Sequence, residues 1–195
     1  MSANSKQKQI NKIKVCHLTS AHPENDIRIF HKQCISLSRG GFEVFLVASN
    51  ATGKVINGVN IKPIKREYRG RLNRFLKTTN NVYRKALEIN ADIYHLHDPE
   101  LLRIALKLKR KGKIVIYDSH EDVPKQIMDK HWIPFLLRSF VSFCYSRYES
   151  YVCKRISGVI SVTEKICQRF KKINKNVELI ANYPLIEEAD LIDKS

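Results

Sequence analysis

The chain has 195 residues, 43% hydrophobic and 28% charged, and its 35 Lys+Arg against 19 Asp+Glu give a formal charge of +16. That length and apolar content allow one packed domain of roughly 100 to 200 residues, and they exclude a disordered chain, which lacks the apolar surface to offset the entropy of ordering. Seven Gly, six Pro and no fixed period exclude collagen-like and repeat architectures, and the richest apolar stretch, Trp132 to Phe143, is cut by Pro134 and Arg138, too short a run to span a membrane.

Strand and helix signals alternate from Lys14 onward. Lys14–Leu18 (KVCHL) predicts a buried strand, and Ile27, Phe30, Cys34 and Leu37 then recur at helical spacing until Gly40-Gly41 stops the helix. Val44–Ala48 predicts a second buried strand. Val59–Ile64 alternates and carries Pro63, which suits an edge strand. Leu72, Phe75, Leu76, Val82, Ala86 and Ile89 mark a second helix, Ile93–Leu96 a strand, Glu100–Lys111 a helix ended by Gly112, and Ile114–Tyr117 a strand. A long helix is predicted over Pro134–Ile156, with its stripe at Leu137, Phe140, Cys144, Tyr148 and Val152 and its second half in the core. Val159–Val162 and Val177–Ile180 predict two more strands, flanking a helix over Glu164–Lys172. Short strands that are apolar throughout and separated by helices imply a doubly wound, mostly parallel, Rossmann-like α/β sheet with helices on both faces.

The first residues, MSANSKQKQINK, are polar and basic without the apolar stretch of a secretory signal, so residues 1–13 read as a leader and the chain as cytoplasmic. Five cysteines form no CxxC pair, an odd number that suits reduced, packed thiols.

In such a sheet, ligands bind beyond the carboxyl ends of the strands. The loops there are Thr19–Asp26 (TSAHPEND), Ser49–Gly53, His97–Pro99 (HDP) and Asp118–Asp122 (DSHED), and three of the four hold histidine and carboxylate. No Gly-rich dinucleotide fingerprint or P-loop is present. Asp26 either caps the following helix or, with Arg28, frames a phosphate at that helix's free amides. His120, among Asp118, Glu121 and Asp122, is the leading candidate to donate a hydrogen bond to a substrate oxygen, its neighbouring carboxylates favouring the protonated or donor form. Glu121 and Asp122 read equally as helix caps. His95 and His97 point to one face and, with Asp98, resemble part of a metal site; Asp98-Pro99 reads equally as a helix start, and with no further ligand at a recognisable spacing no metal is expected.

Positive charge is concentrated in two blocks. Lys62, Lys65, Arg66, Arg69, Arg71, Arg74 and Lys77 face only Glu67, and Arg103–Lys113 adds six more cations with no acid. Such blocks suit anionic lipid or phosphorylated substrates, with Arg66, Arg69, Arg71, Arg74 and Lys77 as the candidate membrane or phosphate patch, or else form solvated helix surface. Trp132 to Phe140 is the apolar stretch placed to touch lipid. Nucleic acid is not expected, because no reading module or pattern of stacking aromatics is present.

Five ordered segments carry a family resemblance: His17–Phe30 (HLTSAHPENDIRIF), Asp92–Leu101 (DIYHLHDPEL), Tyr117–Asp122 (YDSHED), Gly158–Glu164 (GVISVTE) and Ile180–Pro184 (IANYP). Over residues 14–184 the chain resembles the amino-terminal, acceptor-side half of retaining GT-B glycosyltransferases of family 4. The resemblance implies two Rossmann-like lobes across a cleft, a nucleotide-sugar donor held mainly by the second, and a lipid-linked or polysaccharide acceptor held mainly by the first. It implies metal-independent, front-face transfer with no cofactor. By position, His120 resembles the histidine beside the transferred sugar, and Ser20, His22, Asp26, Arg28, His97, Asp98, Glu121 and Asp122 are the candidate donor- or acceptor-contacting residues. Residues 185–195 then begin an interdomain linker. The donor-binding Arg, Lys and paired carboxylates of the family are not in this sequence, so the lone chain is expected to be inactive without a partner lobe or subunit. A noncatalytic membrane- or protein-docking module is the alternative.

Overall fold

The computed structural model describes residues 12–65 and 74–183. Eight strands form one sheet in the order β3-β4-β2-β1-β5-β6-β7-β8, parallel except for the short β3. The strands are β1 (Lys14–Leu18), β2 (Glu43–Ser49), β3 (Val55–Ile56), β4 (Val59–Ile64), β5 (Ile93–Leu96), β6 (Ile114–Ser119), β7 (Gly158–Ser161) and β8 (Val177–Leu179). Helix α1 is π-helical over Ile27–Cys34 and α-helical over Ile35–Arg39. Helix α2 is π-helical over Arg74–Thr78 and α-helical over Thr79–Ile89, while α3 opens with the 3-10 turn Pro99–Leu101 before Leu102–Arg110. Helices α4 (Val123–Met128), α5 (Phe135–Cys153) and α6 (Glu164–Lys171) complete the fold.

This is the Rossmann-like α/β architecture expected, with a lopsided division of its helices. One face packs Cys16, Leu18, Val47, Tyr94, Leu96, Val115, Tyr117 and Val159 against α2, α3, the end of α5 and α6. Alternation sends the intervening residues to the other face, where α1 lays Ile29, Phe30, Cys34 and Ile35 on Val44, Leu46, Ala48, Val59 and Ile61. Beside α1 on that second face lies an apolar cavity of about 340 Å³, lined in part by Val15, His17, Ile93, His95, Ile116 and Ile160. Cys16, Cys34, Cys153 and Cys167 are buried free thiols that pack as apolar residues, while Cys144 is exposed.

Three differences from the expected elements matter. The strand carrying Pro63 has a mate: Asn57 and Gly58, at φ 50° and 79°, make the tight turn that brings β3 back antiparallel onto β4. A short helix, α4, precedes the expected long one, which forms as a single element, α5, over Phe135–Cys153. Most of α5 is also outside the core, for Leu137, Phe140, Cys144 and Tyr148 of the expected stripe are exposed, and Glu149, Val152 and Cys153 are its buried residues.

The candidate site at the strand ends

Three of the candidate loops converge at the carboxyl edge of the sheet. Asp98, directly after β5, is 2% exposed and organises the loop after β1. Its Oδ2 accepts from the Thr19 hydroxyl at 2.8 Å, from the Ser20 N–H at 2.6 Å and from the Ser20 hydroxyl at 3.1 Å. Pro99 does open α3, but the Asp98 side chain makes no cap bond there. The Ser20 hydroxyl shares its single hydrogen between Asp98 and Glu100, the latter at 3.0 Å, and Ser20 is buried, so it holds the loop rather than facing solvent. Glu24 ties the same loop to the one after β2 by accepting from the Thr52 N–H and hydroxyl.

Asp26 does cap α1, its Oδ1 accepting from the Ile29 N–H at 2.8 Å, while its Oδ2 lies 3.1 Å from His22 Nδ1. Burial opposes ionisation of Asp26, but the bonds from His22 and Ile29 outweigh it and bring the carboxyl down to about 2. The bond to Asp26 is likewise the main influence on His22, whose pKa rises despite partial burial, with Asp98 Oδ1 at 3.4 Å from its Nε2 adding to the effect. His22 therefore leans toward the imidazolium. His120 behaves oppositely. Burial lowers its pKa and outweighs the attraction of Asp118, so the protonated form expected from its carboxylate neighbours gives way to a neutral ring. Its Nδ1 is buried without a hydrogen-bond partner. The two rings meet edge to face with centroids 5.5 Å apart, on the wall of a cavity of about 280 Å³ that Asp26, Arg28, Glu121 and Asn182 also line. A second cavity, about 480 Å³, opens on the other side of His22 against Glu24, Ser49 and Asn50. Two neighbouring imidazoles whose pKa values are displaced in opposite directions suit a division of proton donation and acceptance.

Beneath this wall lies a polar layer that the sequence did not reveal. Arg28, expected to add charge at a phosphate, instead turns its guanidinium onto buried Asp118: Nε donates to Oδ2 at 3.0 Å and Nη2 to Oδ1 at 2.9 Å. Gln33 donates to Asp118 at 2.7 Å, and His97 Nδ1 approaches it at 3.6 Å. Burial works against the Asp118 charge, but the approach of His97 and the two Arg28 bonds hold its pKa well below the usual carboxylate range. His97 is fully buried between Asp118 and His17, the His17 Nδ1 lying 2.9 Å from His97 Nε2, so it supports the site from below without reaching the cavity. His17 and His95 are register partners on β1 and β5, which places three imidazoles side by side. Burial and the neighbouring rings keep His17 and His95 neutral, His95 down to about 3. The three rings offer ligand atoms within 4.8 Å of one another, against about 3.4 Å between nitrogens on a tetrahedral zinc ion, and the Arg28 cation lies beside them.

Glu121 is exposed on the cavity rim. Asp122 occupies the cap position of α4 without a side-chain cap bond and lies 3.9 Å from Lys125. Of the expected cationic patch, Arg66, Arg69 and Arg71 lie outside the described residues, Arg74 starts α2, and Lys77 is exposed.

The sheet, with its histidine-bearing carboxyl edge, is a Rossmann-like lobe of the kind found in GT-B proteins. Residues 28–183 match the family model of Glycosyltransferase Family 4, and the chain belongs to that family. No curated protein matches the sequence significantly. Among solved structures, sucrose-phosphate synthase from Thermosynechococcus elongatus matches at 11% identity and a TM-score of 0.63, over 93% of this chain and 53% of that one. A segment of the same protein matches at 10% identity and a TM-score of 0.52, over 94% of each chain. Glycyrrhiza uralensis UGT73P12, solved with glycyrrhetinic acid 3-O-monoglucuronide, matches at 8% identity and a TM-score of 0.54, over 89% of this chain and 49% of that one. At these identities the likeness is one of fold, and the chain spans about half the length of the full-length proteins it matches.

Proposed function

We propose that this chain forms the acceptor-side wall of a retaining, metal-independent glycosyltransferase that moves a sugar from a nucleotide-sugar donor to a lipid-linked or polysaccharide acceptor on the cytoplasmic side of a membrane. The observation that carries this reading is the pairing of His22 and His120 on the wall of one cavity, with opposite pKa displacements. Family membership and the position of the cavity at the carboxyl edge of the sheet support it.

In this reading the neutral His120 ring donates a hydrogen bond to a hydroxyl of the transferred sugar, and the His22 imidazolium, held by Asp26 and Asp98, faces the negative charge that develops on the leaving diphosphate. Asp98 fixes the loop that carries His22, while Arg28 and Asp118 brace the strand that delivers His120. These are positioning residues, because their charged groups are occupied by one another and by the loop. The groups that bind the donor nucleotide belong to a second lobe or subunit, so one wall alone assembles too little of the transition-state environment for measurable turnover.

The test is His120→Ala in an enzyme that joins this chain to a donor-binding lobe. The proposal expects turnover to fall by about 10²-fold or more with folding intact; undiminished turnover removes His120 from the mechanism.

A further inference from the structure

The first half of α5 is built inside out. Leu136, Phe140 and Phe143, spaced four and three residues apart on one helical face, are 88%, 66% and 64% exposed. Phe135 and Trp132 beside them are 77% and 59% exposed. The polar residues turn inward: Arg138 donates to the carbonyls of Ile133 and Met128, and Ser142 to that of Pro124, fastening the helix to α4 and its connecting turn. A surface helix ordinarily does the reverse, and so large a contiguous apolar patch marks an interaction surface.

Charge selects the occupant. From Lys130 to Arg155 the sequence has five Lys and Arg but a single acid, Glu149, which is buried and paired with Arg169. Arg147 follows Phe143 by one turn on the outward face, and Lys130, Lys154 and Arg155 are exposed near the two ends of the helix. An apolar ridge whose bordering cations outnumber its one exposed acidic neighbour, Asp129, matches an anionic bilayer, where side chains enter the acyl boundary and the cations meet headgroup phosphates. The ridge is also correctly placed: α4, to which it is fastened, begins at Val123, three residues beyond His120.

We infer that the outward face of Trp132–Phe143 is a membrane-insertion wedge that seats the chain on anionic lipid, with the histidine cavity held at the bilayer surface. The inference deepens the acceptor reading by naming the surface from which a lipid-linked acceptor would enter, but its test needs no sugar transfer.

Trp132 is the single tryptophan and lies within the wedge, so the unmodified chain reports its own insertion. Vesicles of phosphatidylcholine with one-third phosphatidylglycerol should co-sediment the protein, shift Trp132 emission to the blue and allow quenching by brominated acyl chains, whereas pure phosphatidylcholine should bind about tenfold less. Leu136→Gln with Phe140→Gln, both exposed and therefore compatible with folding, should weaken binding at least about tenfold while leaving the circular dichroism unchanged. Equal binding by this variant would assign adsorption to the basic blocks alone and overturn the wedge, as would unquenched Trp132 in bound protein. A wild-type dimer that the double substitution converts to monomer, without vesicle binding by either, would overturn it in favour of a protein interface.

Discussion

Arg28→Met removes the guanidinium from a carboxylate that has no exposure to solvent. Asp118 receives two hydrogen bonds from Arg28, at 2.9 and 3.0 Å, and is 0% exposed. Breaking a buried ion pair by removing one partner typically costs about 3–5 kcal/mol, because the remaining charge is left uncompensated. Gln33, at 2.7 Å, and the approaching His97 remain, so the lower end, about 3 kcal/mol, is expected. Urea unfolding of the chain should then show a midpoint lower by about 1–2 M at neutral pH. The penalty should also depend on pH. In the wild type the depressed Asp118 pKa contributes stability that is present above the unfolded-state value, about 3.9, and is lost as pH falls through the folded one. Without Arg28 the folded pKa rises, so the penalty is full at pH 7 and fades as pH falls through the raised value. Arg28→Met combined with Asp118→Asn should recover part of the loss. A penalty below about 1 kcal/mol at neutral pH, or one that grows as pH falls, would refute the buried-pair account.

Asp26→Ala should cost about 1 kcal/mol for the lost helix cap, and titration of His22 by NMR should show its pKa falling toward 6.5. Because His22 has a raised folded pKa and Asp26 a depressed one, the contribution of the pair is full between about pH 4 and 6.5 and is lost on either side, so unfolding scans should show the variant's penalty shrinking above and below that window. Asp98→Ala should leave the loop donors at Thr19 and Ser20 unsatisfied, costing about 2–3 kcal/mol in chemical denaturation, and should release the loop carrying His22 to faster hydrogen exchange. Tyr94→Phe removes a hydroxyl that accepts from the Ala91 N–H and donates to the Ala86 carbonyl, and should lower stability by about 1–3 kcal/mol without affecting vesicle binding.

The parallel sheet was legible because its strands are short, apolar and punctuated by helices, and the site edge because histidines and carboxylates collect in the loops at one end. The missed pieces share a cause: they depend on pairings between distant residues. Arg28 meets Asp118 across 90 positions, and His17 joins His95 only through the register of β1 with β5. A local reading of Asp26-Ile-Arg28 therefore left a helix cap and a phosphate site both open; the fold bears out the cap and gives Arg28 to a buried ion pair. The β3 strand was lost to its two-residue length, although Asn57-Gly58 between apolar neighbours signals the turn. For α5 the period was visible but its direction was not. An apolar stripe does not say whether core or solvent lies opposite, and inward-facing Arg138 and Ser142 reveal this only through their bonds to backbone carbonyls.

The division of labour across the cleft can be measured most directly by calorimetric titration of the 195-residue chain with a panel of uridine, guanosine and adenosine diphosphate sugars and, separately, with a short-chain polyprenyl-diphosphate acceptor. An acceptor-side lobe should bind the acceptor, should lose that binding on Asp98→Ala, and should give no saturable heat with any nucleotide sugar. Micromolar affinity for a nucleotide sugar would place the donor site on this lobe and contradict the account.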